Sequence, residues 1–241
     1  MRLTVTTFMS IDGVMQSPGA PEEDPSGGFD LGGWLPPFFD EETGQYMNEV
    51  LDHADAFLLG RRTYEAMAGF WPSVNDPANR VATQLNALPK HVVTATLTNL
   101  AWAGAVPLTG DIAQQVAKLK EEPGRELQVH GSAGLAHFLA GKGLVDGYRL
   151  VIFPVVLGRG KRLFADGTPP SAMRLTDTRT TGRGIVMHTY DAAGPLTFGS
   201  VYPEDEASGC CGRGRRTVLV AAAATADGGV GRQHRRGPNV G

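Results

Sequence analysis

Residues 55–69, Asp-Ala-Phe-Leu-Leu-Gly-Arg-Arg-Thr-Tyr-Glu-Ala-Met-Ala-Gly, hold the residue types best suited to chemistry. An apolar run of strand length, Ala56 to Leu59, meets a lone glycine at Gly60. Arg61, Arg62 and Thr63 then open a stretch with helical spacing at Tyr64, Met67 and Ala68. A strand that turns into a helix this way points free backbone N–H groups and the positive end of the helix dipole out of the corner. Two arginines at that end oppose the dipole, by roughly 0.3–1 kcal/mol each, so an anion such as a phosphate gives them a purpose. Gly60 lets the anion approach the backbone. The plain alternative is a pair of solvated first-turn arginines with Thr63 as a routine helix starter.

A second corner repeats the pattern. Leu127-Gln128-Val129 is a short strand that runs into His130-Gly131-Ser132-Ala133-Gly134, and Leu135, Phe138 and Leu139 mark the helix after it. It is not the Gly-x-Gly-x-x-Gly fingerprint, and alone a glycine turn before a helix is only geometry. Two such corners at the carboxyl ends of strands in one α/β sheet suit an extended ligand with two phosphate groups, and a dinucleotide fits. Arg61, Arg62 and Thr63, with the hydroxyls of Thr94 and Thr96 at the end of the next strand, would suit the extra 2′-phosphate of NADP. Gly131, Ser132, Ala133 and Gly134 would take the pyrophosphate on bare backbone. His130 reads as a strand residue, and the six histidines show no metal-ligand spacing.

The remaining elements must position these corners. Residues 3–8 alternate and are rich in β-formers, with Asp12-Gly13 as the following turn. From Gln16 to Pro37 the chain carries five prolines and five glycines without periodicity. Loops this long inside a domain are usually lids or binding loops, and Trp34 and Phe38 give this one something to bury. Asp40 can cap a helix whose Tyr46, Met47, Val50, Leu51 and Ala54 share a face. After a polar loop around Trp71 to Ala78, a helical or irregular stretch leads to Pro89, and Lys90 to Thr96 reads as a strand. Asp111 caps the next helix. Gly147 to Leu157 is a long strand broken by Pro154, Arg174 to Thr180 and Ile185 to Asp191 pair, and Leu196 to Tyr202 reads as a last strand. The body is therefore α/β, parallel first and antiparallel late.

At 241 residues, 41% hydrophobic and 20% charged, the composition is that of an ordinary soluble protein. Apolar runs are too short to span a bilayer and the N-terminus lacks the pattern of a secretory signal, so the expectation is cytoplasmic, with no membrane partner. Residues 1–203 carry 16 basic and 21 acidic side chains, which speaks against nucleic acid as a partner. One domain is expected over 1–203. The 204–241 tail, rich in Gly, Arg and Ala and holding the adjacent Cys210 and Cys211, is expected to be disordered.

Four strings, in order, resemble the dihydrofolate reductase-like fold, and within it the reductase domain of bacterial riboflavin synthesis (the RibD C-terminal domain). They are Ser10-Ile-Asp-Gly-Val14, Leu59-Gly-Arg-Arg-Thr-Tyr-Glu65, His130-Gly-Ser-Ala-Gly-Leu135, and Gly143-Leu-Val-Asp146 leading to Pro154-Val-Val-Leu-Gly-Arg-Gly160 and Leu163-Phe164. The resemblance implies a single-domain, mixed, mostly parallel sheet of about eight strands flanked by helices. It also implies an NADPH-dependent reductase acting on a small molecule as a homodimer. By position, Gly60 to Thr63 resemble the corner at the adenosine 2′-phosphate, Gly131 to Leu135 the pyrophosphate turn, and Ser10, Asp12 and Gly13 the region near the nicotinamide. The 16–37 loop would correspond to a mobile lid.

Dihydrofolate reductases place a carboxylate on the helix after that lid, and the candidates are Asp40, Glu41 and Glu42. Asp40 is taken as the catalytic acid, with water as the other proton source; acids in a first turn also simply cap helices. Trp34, Phe38 and Trp71 would wall the substrate pocket. The expected reaction is hydride transfer to a C=N or C=O group of a small heterocyclic, pterin- or pyrimidine-like, or carbonyl substrate. The alternative is a non-catalytic nucleotide- or ligand-binding protein on the same fold.

Overall fold

A computed structural model describes residues 1–201 of the chain. The apolar alternation of the N-terminal segment forms β1 (Arg2–Ser10), the third of four strands that run parallel from β2 (Ala54–Gly60) to β6 (Gly147–Phe153) with β5 (Glu126–Val129) between. β1 pairs with β5 on one side, Val5 opposite Val129, and with β6 on the other, Thr6 opposite Arg149. β3 (Lys90–Val93) and β4 (Ala105–Leu108) extend the parallel part beyond β2. β7 (Met173–Thr180) and β8 (Val186–Ala192) add an antiparallel edge on β6, so the eight strands run β4-β3-β2-β5-β1-β6-β8-β7. This is the eight-stranded, mostly parallel α/β sheet that the sequence implied.

Period-two alternation sorts the core into layers. Leu3, Val5, Leu58, Leu127 and Val129 face α4 (Ile112–Glu121) and α5 (Ala133–Gly141), packing on Val116 and Leu139. The intervening residues face the other way. Phe57 and Leu59 pack with Tyr64 of α2 (Arg61–Ala68) and Leu85 of α3 (Arg80–Ala87), and Phe153 packs with Tyr46 and Met47 of α1 (Glu41–Asp52). The unit spans Met1–Phe198.

Two elements differ from expectation. β4 was not anticipated, because a four-residue edge strand with Pro107 inside and Val106 exposed carries little apolar alternation. The strand expected over 196–202 is absent from its described part, residues 196–201: among the described residues the sheet ends at β7, and Phe198 and Val201 lie almost fully exposed. The expected disordered tail and the two cysteines lie outside the described residues. Among those described, no helix is long and apolar enough to cross a membrane.

Candidate active site at the carboxyl ends of β2 and β5

The two glycine corners are built against each other. β2 and β5 are neighbours in the sheet, so α2 and α5 start side by side. A Cβ on Gly60 would stand 2.5 Å from Ser132 Oγ, and one on Gly131, whose φ is +78°, would stand 3.3 Å from Thr63 Oγ1. A side chain at position 60 would have to displace the Ser132 hydroxyl, and the left-handed φ of Gly131 favours glycine there. The Gly131–Ser132 peptide bond is cis.

These two helix starts differ from the other three in how their N–H groups are satisfied. Asp40 accepts from Thr43 N–H at 2.8 Å, Asn79 from Ala82 N–H at 3.0 Å and Asp111 from Gln114 N–H at 3.0 Å, capping α1, α3 and α4. Gly60 has no side chain to offer, and Ser132, at the N-cap of α5, makes no capping bond. Ala136 N–H is the first donor to close the α5 ladder, on Ser132 C=O. Ala133, Gly134 and Leu135 thus point first-turn N–H groups outward without a capping side chain, and a Cβ on Gly134 would meet nothing within 4 Å. Two adjacent uncapped helix starts with open space over Gly134 fit the pyrophosphate of a dinucleotide.

The two arginines part company. Arg61 donates from Nε to Glu65 at 2.9 Å and from a terminal nitrogen to Thr96 Oγ1 at 3.0 Å, so it reaches across to the end of β3 as expected. Arg62 turns instead to the 16–37 segment, donating to Ser26 Oγ at 3.1 Å and Asp24 at 3.4 Å, where Lys161 also binds both residues. Successive helical residues are about 100° apart around the axis, and the two side chains leave α2 toward different partners. Thr94 is buried, and its hydroxyl accepts from the N–H groups of Thr96 and Leu97 to hold the turn after β3, so the ligand-facing hydroxyl of the pair is Thr96.

The Ser10–Gly13 turn is closed in a different way. Ser10 is fully buried, accepts from Val14 N–H at 2.9 Å and donates to Asp12 at 2.7 Å. Asp12 also accepts from Leu157 N–H at 3.0 Å and Gly158 N–H at 2.8 Å, while Arg162 donates to its backbone carbonyl. Burial pushes its carboxyl up, but the Ser10 hydroxyl and the two amides more than offset this and hold it at about 2. Gly13, at φ +82°, supplies the left-handed residue of the turn. The side chains of Ser10 and Asp12 are engaged in hydrogen bonds within the protein.

The 16–37 segment packs through Phe29, Trp34 and Leu35, which are buried, and Trp34 Nε1 donates to Gln16 C=O at 2.9 Å. Trp34 and Phe38 join one cluster, Trp34 edge-on to Phe153, whereas Trp71 packs with Leu85 and Trp102 in another. The three aromatics expected to wall one pocket are therefore divided. Asp40 accepts from both the N–H and the hydroxyl of Thr43. Burial raises its carboxyl, but the hydroxyls of Thr43 and Thr181, the Thr43 amide and the charge of Arg183 together lower it. Its second oxygen is nevertheless buried without a hydrogen bond of regular geometry. Asp40 thus caps α1 through its bonds to Thr43. Glu41 accepts from Gln45, and Glu42 accepts from Gly182 N–H.

Sequence reading missed a polar line on the α1 face of β5. Arg149 grips both oxygens of Glu126 at 2.6 and 2.7 Å, Gln128 Nε2 donates to Glu126 at 2.8 Å, and Gln128 Oε1 lies 2.9 Å from His130 Nε2. Glu126, Gln128 and His130 recur at every second residue, the period of a strand face, and that alternation is the signal that could have revealed them.

The eight-stranded α/β sheet, with its two uncapped helix starts at the carboxyl ends of β2 and β5, is of the reductase type that the comparisons bear out. The chain belongs to the RibD C-terminal domain family, whose model matches residues 2–187. It is 32% identical over 143 residues to the uncharacterized protein YyaP of Bacillus subtilis, covering 59% of this chain and 76% of that one. A putative riboflavin biosynthesis protein from Shewanella sp. PV-4 shares the fold at TM-score 0.60 and 20% identity, over 80% of this chain and 99% of that one. Dihydrofolate reductase from Enterococcus faecalis, solved with NADP(H), shares it at TM-score 0.51 and 12% identity, over 80% and 96%.

Proposed function

We propose that the protein is an NADPH-dependent reductase that transfers hydride to a C=N or C=O group of a small heterocyclic or carbonyl substrate. The observation that carries this reading is the pair of uncapped helix starts at the ends of β2 and β5, with Arg61 and Thr96 beside them. Ala133, Gly134 and Leu135 N–H groups would hold the pyrophosphate, and Arg61 with Thr96 the 2′-phosphate through charge-assisted bonds. When bound, the reduced nicotinamide supplies the hydride. The residues of this chain then orient the two rings and exclude water, with the 16–37 segment as cover. The proton that completes reduction at nitrogen or oxygen comes from Asp40 or from water. We propose a homodimer as the working form, as the family resemblance implies.

The engaged state of Asp40 is also the observation that favours the second reading, a nucleotide-binding protein without turnover. NADPH oxidation measured against pterin, pyrimidine and quinone substrates separates the two. Turnover on at least one class is expected; tight NADPH binding with no turnover on any would leave the binder.

A further inference from the structure

Arg61 stands half exposed at the start of α2, yet two elements hold its guanidinium in place. Nε donates to Glu65 Oε1 at 2.9 Å, one turn further along the helix, and Nη1 donates to Thr96 Oγ1 at 3.0 Å, beyond the end of β3. A free surface arginine samples many rotamers, and a ligand that binds it must first immobilise it. Here that ordering precedes the ligand.

The order of the pair along the chain points away from a role in stabilising α2. At a spacing of four, an acid that precedes its cation suits the helix dipole, whereas Arg61 followed by Glu65 is the less supportive order. The first turn of α2 moreover holds Arg61 and Arg62 and no acid, which also opposes the dipole. The helix gains little from the pair.

What the pair achieves is geometric. Glu65 takes the Nε hydrogen and Thr96 takes one hydrogen of Nη1, so Nη2 and the second hydrogen of Nη1 have no partner among the described residues. These lie along the end of the guanidinium, an edge that meets a phosphate as a bidentate fork. The Thr96 hydroxyl accepts from Arg61 and keeps its own hydrogen to donate.

We propose that Glu65 is a positioning residue, which holds Arg61 by Nε so that the Nη1 and Nη2 end of the guanidinium, with the Thr96 hydroxyl, faces the 2′-phosphate of NADPH. This rests on the NADPH reading of the same corner. Glu65 also carries a charge that repels a phosphate bound on Arg61, so its oxygen and its charge act in opposite directions. Orientation outweighs repulsion, because both side chains are well exposed and solvent screens the charge. Glu65→Gln separates the two effects, since it keeps an acceptor oxygen for Nε and removes the charge.

The test is isothermal titration of NADPH and NADH into the full chain and its Glu65→Ala, Glu65→Gln and Arg61→Ala variants, together with the NMR order parameter of the Arg61 Nε–H bond. Immobilising one rotamer-rich side chain corresponds to about fivefold in affinity. Glu65→Ala should weaken NADPH binding by that factor and leave NADH unchanged, whereas Glu65→Gln should bind NADPH at least as tightly as the wild type. The Arg61 Nε–H should be rigid in the wild type and in Glu65→Gln, and mobile in Glu65→Ala. A role in the fold alone would move Tm and leave the difference between the cofactors unchanged. Tighter NADPH binding in Glu65→Ala, equal losses for NADPH and NADH, or equal losses in Glu65→Ala and Glu65→Gln would each overturn the proposal. An NADPH-selective loss in Arg61→Ala without one in Glu65→Ala would overturn the positioning role and leave the NADPH reading standing. No NADPH-selective loss in Arg61→Ala would overturn that reading and the proposal with it.

Discussion

The corner at Gly60 and Gly131 and the turn at Ser10 to Gly13 both carry polar residues at the carboxyl ends of parallel strands, yet they are opposites. At the corner, two helices begin with no capping side chain, and the Arg61 side chain is half exposed. At the turn, hydroxyl, carboxylate and amides satisfy one another, and Ser10 is wholly buried. Residue type made both look like ligand contacts. The state of the donors separates them: unsatisfied N–H groups at an accessible helix start mark a place for a ligand, whereas a closed set of bonds marks scaffold.

The largest effect should come from breaking the closed region. Asp12→Ala removes the acceptor for Ser10 Oγ and for the Leu157 and Gly158 amides, and should cost about 3 kcal/mol in urea unfolding. The same carboxylate gives the comparison a pH signature. Its folded value, about 2, lies below the ordinary 3.8, so its contribution is present above about pH 4 and lost as pH falls toward 2. Asp12→Asn should remove that part of the acid slope. A stability loss well under 1 kcal/mol for Asp12→Ala would show that the turn is not the scaffold described.

A smaller effect separates capped from uncapped helices. Asp111→Ala should cost about 1 kcal/mol, since its carboxylate caps α4, whereas Ser132→Ala should leave stability within about 0.5 kcal/mol because Ser132 caps nothing. Equal losses would put a hidden cap on α5 and close the corner.

Local features were legible in the sequence. The strand-glycine-helix corners, the Asp40 and Asp111 caps and the late antiparallel pair all follow from patterns within a dozen residues, and the structure carries them. What depends on neighbours distant in sequence was not legible. Arg61 and Arg62 look equivalent as letters, but the helical turn sends one to Thr96 and the other to Ser26. Trp71 is as aromatic as Trp34, but α3 rather than the 16–37 segment claims it. The Arg149–Glu126–Gln128–His130 line needs β1, β5 and β6 side by side before its members meet.

The central claim is that the open corner selects NADPH through Arg61. Isothermal titration of NADPH and NADH into the wild-type protein and Arg61→Ala tests it most directly, with Arg62→Ala as the control that keeps the corner intact. A charge-assisted contact to phosphate contributes about 1.5–3 kcal/mol, so Arg61→Ala should weaken NADPH binding about 10- to 100-fold, leave NADH nearly unchanged and exceed the effect of Arg62→Ala. Equal losses for both cofactors, or no loss for NADPH, would contradict the assignment.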